Sequence, residues 1–212
     1  MGVSAYGGVD RSEIEKARLT SDGQRYTLNH KEELVIDMRF KGAAGSGVNS
    51  QGWERNQSYY FRQLQSAHPE YFDRTNTTRI ANGQAPSVNK QFLEHFPEYG
   101  DFKNQNLIHH HIGKDGQAVA LPTGAHRGSG EIHNHENGLG ITANAERFSA
   151  ACAKECDLRP EHMGKTAGEL QTVLAARQAK AGGFNGQAQG QSSGAGAAAV
   201  KAVTREQGGR QR

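Results

Sequence analysis

Two short apolar stretches, separated by a turn that contains glycine, lie near the middle of the chain. The first, residues 107–112, encloses three consecutive histidines, and the second spans residues 118–121. Residues 113–116, Gly-Lys-Asp-Gly, have the composition of a tight turn between antiparallel strands. The pattern therefore predicts a β-hairpin whose second strand ends at Pro122.

The segment before this hairpin has the spacing of helices. Side chains recur three and four residues apart from Trp53 to Ala67, which predicts an amphipathic helix that ends at His68, before a proline. Further apolar side chains follow between breaks at glycine and proline. We interpret residues 53–99 as a helical layer over the hairpin, because aromatic side chains at helical spacing are more often buried than exposed for base stacking.

Two more helices are predicted after the hairpin, over residues 144–157 and 165–180. Cys152 and Cys156 lie four residues apart on the first of them. Helical neighbours seldom meet the geometry of a disulfide, and one pair of cysteines does not complete a zinc site. We therefore expect partly buried, reduced thiols. Residues 181–212 are rich in Gly, Ala, Gln and Ser, which predicts a disordered tail.

The first 52 residues show weaker patterns. Residues 25–28 and 34–40 have the composition of two strands, and residues 42–47 have that of a linker. We interpret residues 1–52 as an accessory segment, residues 53–180 as the functional domain and residues 181–212 as the tail.

Composition limits the class of protein. The chain has 212 residues and 34% hydrophobic residues, so we expect one domain with a modest core, to which a bound metal would add stability. No apolar run is long enough to span a membrane. The opening sequence lacks a basic segment followed by an apolar one, so no ordinary signal peptide is expected, and export would need a dedicated secretion system.

The net charge of +3 comes from the predicted tail, because residues 1–180 hold equal numbers of basic and acidic side chains. Binding of nucleic acid depends largely on Lys and Arg that neutralise phosphates. The overall charge therefore neither favours nor excludes a nucleic-acid substrate.

Six of the ten histidines lie between His109 and His135. Packing alone rarely needs adjacent histidines, since a buried imidazole without partners is costly. Neutral imidazoles are common metal ligands and accept protons near neutral pH. On a regular strand His109 and His111 share one face and His110 lies on the other, unless a bulge intervenes.

The stretch with "HHI", a glycine turn, "ALP", a histidine, Gly-Ser-Gly and "IHN" resembles the HNH/endonuclease VII superfamily, especially the histidine-rich nucleases of bacterial polymorphic toxins. The segment before the hairpin is also similar to such toxins. The resemblance implies an α+β fold with a ββα-metal core, in which a hairpin and a helix hold one divalent ion and other helices surround them.

The resemblance also implies roles for individual residues. His110, His126 and His133 correspond to metal ligands, and His111, which is followed by an aliphatic residue, corresponds to the base that activates water. Arg127, next to a ligand, is a candidate for holding the scissile phosphate.

The chain departs from the family pattern at two places. One helical turn after His126, where a ligand is usual, the chain has Gly130. The asparagine that orients the base is missing, and Asn134 or His109 are its candidate substitutes. Strand alternation also keeps a second register open, in which His109 is the ligand and His110 the base.

The resemblance implies Zn²⁺, Ni²⁺, Mn²⁺ or Mg²⁺ as cofactor, and ligation by histidines alone favours the transition metals over Mg²⁺. A structural zinc site is the main alternative, although such sites more often recruit cysteines, and here both cysteines lie outside the cluster.

The sequence thus leads to two hypotheses about function. The first is a metal-dependent endonuclease that hydrolyses phosphodiester bonds of nucleic acid, with DNA as the expected substrate. It would be an antibacterial toxin, made in the bacterial cytoplasm, exported into target cells and matched by a cognate immunity protein. The second is a non-catalytic, zinc-stabilised binding or assembly module.

Overall fold

A computed structural model describes residues 3–42, 46–126, 130–158 and 160–188. The fold is mixed α+β, as predicted. The chain divides into two compact units, residues 1–174 and 175–212. The first unit contains the sheet and the histidine cluster, and in the second residues 175–188 are helical.

The helices and strands follow one another in a mixed order. The helices are α1 (Arg11–Glu15), α2 (Gln57–Ala67), α3 (Arg74–Ala81), α4 (Lys90–His95), α5 (Thr123–His126), α6 (Gly130–Gly138), α7 (Ile141–Leu158) and α8 (Ala167–Ala188). The strands are β1 (Arg18–Leu19), β2 (Arg25–Tyr26), β3 (Val35–Asp37), β4 (Leu107–His111) and β5 (Gln117–Pro122).

The predicted hairpin is present and supplies two strands of a three-stranded sheet, in which β5 is the central strand and β4 an edge strand. Its strands β4 and β5 pair antiparallel in a regular register, with Leu107 opposite Pro122 and His111 opposite Ala118. Strand β3 pairs antiparallel with the other edge of β5, so that the order is β3-β5-β4. Every residue of β5 is buried, which explains its nearly continuous apolar sequence.

The hairpin turn depends on a glycine. Gly113 has a φ of 59°, in the left-handed region that favours glycine, and lies in a turn of 3₁₀ helix over Ile112–Lys114. A Cβ atom at this position would lie 2.8 Å from Cγ2 of Ile141, the first residue of α7. The turn and helix α7 therefore approach too closely for any side chain.

The helical layer before the hairpin forms as predicted, but its first helix begins later than the spacing indicated. Asn56 caps α2, because its side chain accepts a hydrogen bond from the backbone N–H of Tyr59. Trp53 therefore lies outside the helix and packs in a second, smaller cluster with Phe40, Cys152 and Leu170. The aromatic residues of the layer are mostly buried, as expected of core: Tyr60, Phe61, Tyr71, Phe72, Phe92, Phe96 and Tyr99.

The two strands predicted near the N-terminus are shorter than expected. Within the two predicted ranges, only Arg25–Tyr26 (β2) and Val35–Asp37 (β3) are strands. Strand β2 pairs with β1. Strand β3 joins the sheet of the hairpin, so part of the predicted accessory segment belongs to the central sheet. Of the predicted linker, residues 43–45 lie outside the described residues.

The helices after the hairpin agree in place with the prediction. Helix α7 begins a few residues earlier than expected, and α8 continues to Ala188, into the predicted tail. Residues 189–212 lie outside the described residues. Cys152 on α7 is buried, as expected of a small packed thiol. In the described part of the chain no helix is long and apolar enough to cross a membrane.

Candidate metal centre and catalytic histidines

The three consecutive histidines of β4 divide between the two faces of the sheet, as strand alternation predicts. The rings of His109 and His111 lie 5.5 Å apart on one face. The ring of His110 faces the other way, 5.2 Å from that of His126 and 5.0 Å from that of His133. No bulge interrupts β4, because its pairing with β5 is regular throughout.

Two helices bring their histidines to His110. His126 is the last residue of α5, which follows β5 directly, and His133 lies in the first turns of α6. Their rings are 5.3 Å apart. One nitrogen from each of the three imidazoles lies within 4.8 Å of the others, a separation that one metal ion can bridge.

Glu136 is a member of the cluster that sequence reasoning missed. It is fully buried, and its two oxygens lie 2.7 Å from Nε2 of His110 and 3.3 Å from Nδ1 of His133. Burial alone would raise the pKa of Glu136, but its contacts with the two histidines hold it below the usual range. Glu136 follows His133 by three residues, a spacing that places both on one helical face.

His30 also approaches His110, from the opposite end of the chain. Its ring lies edge-on to that of His110, at 6.2 Å, and its side chain is buried. One ligand atom from each of His30, His110 and Glu136 lies within 4.8 Å of the others, a second grouping that could hold an ion. No local sequence pattern predicts this contact, because eighty residues separate the two histidines along the chain.

His111 is held by the hairpin turn. Its Nδ1 lies 2.7 Å from the backbone carbonyl of Asp115, and a carbonyl only accepts, so Nδ1–H is the donor. In the neutral imidazole this leaves the lone pair on Nε2, a buried atom, and the ring also lies near the backbone of Glu54. Burial lowers the pKa of His111 to about 4. The side chain of Asp115 is itself buried, and burial raises its pKa to about 6.

The residues suggested as substitutes for the missing asparagine lie on different elements, Asn134 on α6 and His109 on β4, where its ring is 5.5 Å from that of His111. Asn134 is exposed on α6. His109 stacks on the ring of Tyr60, at 5.8 Å. The backbone of Asp115 orients His111 instead. His135, the sixth histidine of the stretch, lies apart from the cluster, with Nδ1 at 3.1 Å from the hydroxyl of Tyr26.

A cavity of about 510 Å³ joins the two faces of β4. Five histidines line it, together with polar residues of the loop before α2 and of the hairpin turn: His109, His110, His111, His126, His133, Asn49, Ser50, Arg55 and Lys114. Arg55 and Lys114 are exposed and give the cavity two positive charges. Arg127, the residue predicted to hold phosphate, lies outside the described residues.

The loop before α2 is fixed against the turn. Nδ2 of Asn49 donates a hydrogen bond of 2.8 Å to the carbonyl of Lys114. Glu54, next to Arg55, is buried and accepts hydrogen bonds from both Arg39 and Lys41. Arg55 therefore projects from a rigid segment. Its guanidinium forms no ion pair with any residue that the structure describes, which leaves it available to an anion.

Comparison with known proteins places part of the chain near a nuclease family. Residues 32–134 match the model of a family described as HNH/Endo VII superfamily nuclease toxin with a HHH motif. The match includes β3, the helical layer and the whole hairpin. It also includes His126 and His133, whose rings lie beside that of His110. No curated protein and no solved structure gives a significant match. Residues 32–134, just under half of the chain, are therefore similar to the HNH/Endo VII superfamily nuclease toxin domains with a HHH motif.

Proposed function

We propose that the protein is a metal-dependent endonuclease that hydrolyses phosphodiester bonds of DNA. The observation that carries the proposal is the arrangement around β4. Three imidazoles converge on one face of the strand, the imidazole of His111 is oriented by the Asp115 carbonyl on the other, and all four line one cavity. A metal-activated phosphate and a general base are the two elements that this reaction needs.

His110, His126 and His133 would hold the divalent ion. Since the carboxylate of Glu136 accepts from Nε2–H of His110, the lone pair of that imidazole is on Nδ1. A carboxylate behind a ligand histidine fixes its orientation and makes it a better donor. A bound ion supplies a Lewis acid for the phosphate and for the developing charge on the leaving oxygen. Three imidazoles favour Zn²⁺ or Ni²⁺, and also fit Mn²⁺ better than Mg²⁺.

His111 would act as the general base. Its Nδ1–H is anchored on the carbonyl of Asp115, so Nε2 is the atom that accepts a proton from the attacking water. This assignment is supported by the convergence of His110, not His109, with the other ligands. It favours the register in which His110 is the ligand and His111 the base.

Arg55 and Lys114 would bind the phosphates of the substrate. Both line the cavity, and a guanidinium donates two parallel hydrogen bonds to a phosphate. Their placement gives the otherwise neutral body of the chain a local positive site. Arg127 remains a further proposed phosphate ligand because it follows His126 in the chain.

The family suggests the biological setting. A nuclease toxin made by a bacterium needs a route into the target cell and protection for its producer. We expect export by a dedicated secretion system and a cognate immunity protein that covers the cavity.

Cleavage of plasmid DNA by the purified full chain tests the proposal. We expect nicking and linearisation that EDTA abolishes and that added Zn²⁺, Ni²⁺ or Mn²⁺ restores. Structured RNA, incubated in parallel, tests the preference for DNA. If neither nucleic acid is cut with any of these ions, although the protein binds metal, the chain is a zinc-stabilised binding or assembly module instead.

A further inference from the structure

His30 places a polar atom in the interior without a partner. Its side chain is 6% exposed, and its Nε2 makes no hydrogen bond to any residue that the structure describes. The rest of the ring packs against aromatic neighbours, with Tyr6 stacked at 6.4 Å and His110 edge-on at 6.2 Å. Buried polar groups in native proteins are nearly always satisfied, and an ion is one of the partners that can satisfy them.

The neighbours of His30 supply the rest of a ligand set. His110 and Glu136 are buried beside it, at 1% and 0% exposure, and one ligand atom from each residue lies within 4.8 Å of the other two. Two imidazoles and one carboxylate form a set that proteins use for zinc. The charge of the carboxylate offsets the cost of placing a cation in the interior.

We propose that His30, His110 and Glu136 form a second, buried position for a transition-metal ion. The proposal concerns ion binding and does not depend on the nuclease activity. It differs from the set of His110, His126 and His133, whose members line the open cavity. All three side chains of this second position are buried, so an ion held there would stabilise the fold.

The two positions compete for His110. A neutral imidazole has one lone pair, on one nitrogen or the other. While Nε2–H donates to Glu136, the lone pair on Nδ1 is available elsewhere. An ion in the buried position takes the place of that proton between Nε2 and the carboxylate, and Nδ1 then carries the proton. The two positions therefore exclude each other: an ion in the open position prevents binding in the buried position, and the reverse.

A double-mutant cycle on Co²⁺ affinity tests this competition, with the full chain and without nucleic acid. The four proteins are the parent, His30→Gln, His126→Gln and the double variant. We expect His30→Gln alone to change the affinity by less than about twofold, because the open position still holds the ion. In the His126→Gln background, the same change should lower the affinity by about tenfold or more, since only the buried position remains.

The other results overturn the proposal. If His30→Gln lowers the Co²⁺ affinity equally in both backgrounds, His30 acts on the open position by positioning His110. No loss in either background means that His30 binds no ion. His30→Asn, measured in the same two backgrounds, replaces His30→Gln if circular dichroism shows that the latter does not fold.

A matched control comes from the surface of the helical layer. His95 is exposed at the end of α4, so His95→Gln should leave Co²⁺ affinity unchanged. Because the readout is ion binding, a protein that cuts no nucleic acid still gives a decisive result. Failure of the buried position and failure of the nuclease proposal are thereby distinguished.

Discussion

His110 and His111 are adjacent in sequence but lie on opposite faces of β4, so replacing each should have a different result. His111→Ala removes the proposed base and leaves the converging imidazoles in place. We expect it to bind Co²⁺ or Zn²⁺ like the parent and to lose cleavage by about a hundredfold or more. His110→Ala should lose metal binding and cleavage together. Metal content and plasmid nicking measure the two properties separately.

The alternative register makes the opposite prediction. If His109 is the ligand and His110 the base, then His110→Ala keeps the metal and loses cleavage, and His111→Ala is nearly as active as the parent. Three single alanine variants of β4 therefore decide between the registers. Equal activity in all three would exclude both.

Arg55 tests the proposed contact with phosphate. Arg55→Ala should weaken DNA binding and reduce the slope of log affinity against log salt by about one, since one phosphate contact is lost. Arg55→Lys should restore the salt slope, but only part of the affinity, because an ammonium cannot form the paired hydrogen bonds. Arg74→Ala, a loss of charge at an exposed position on α3, is the control. Identical salt slopes for Arg55→Ala and the parent would contradict the assignment.

At the scale of secondary structure, much of the site follows from local pattern. The apolar runs and the glycine turn predicted the hairpin, and period-two alternation placed His110 opposite its two neighbours. Glu136 was missed because the start of α6 was not predicted, so its spacing from His133 carried no weight. His30 was missed because it meets His110 only through the packing of distant segments, which no local periodicity reports.

The hairpin turn gives a prediction about stability. Gly113→Ala introduces a Cβ at a φ of 59° and at 2.8 Å from Ile141, so both backbone strain and overlap oppose it. We expect a loss of about 1–3 kcal/mol in the free energy of unfolding. The control is Gly138→Ala at the end of α6, where a Cβ meets nothing within 4 Å. Urea denaturation of both variants measures the difference. Equal stabilities would mean that the turn and α7 separate easily.

A buried carboxylate makes the stability of the first unit depend on pH. Burial alone would raise the pKa of Glu54, but hydrogen bonds from Arg39, Asn56 and Lys41 outweigh it and lower the pKa to about 2. A lowered pKa means that Glu54 stabilises the fold above its usual pKa of about 4.5. This contribution is lost as the pH falls from there towards 2. The free energy of unfolding should therefore fall less steeply over this range in Glu54→Gln than in the parent.

For the whole molecule, the metal should act as part of the fold. The histidine cluster joins β4, α5 and α6, and Glu136 adds a buried contact between α6 and the sheet. An ion that binds only the folded chain, at a hundredfold excess over its Kd, stabilises it by about 2.7 kcal/mol. In a protein of this size that corresponds to a rise in Tm of roughly 5–10 °C.

The parent should therefore melt at a higher temperature with Zn²⁺ than with EDTA, and Mg²⁺ should have little effect on the imidazole site. His110→Ala is the decisive comparison, because His110 belongs to both groupings of ligands and its loss removes both. We expect its Tm to be the same with Zn²⁺ and with EDTA. His135→Ala, which changes a histidine outside both groupings, should keep the full rise. Scanning calorimetry on the three proteins provides the measurement. A rise in His110→Ala equal to that of the parent would place the stabilising ion elsewhere on the chain.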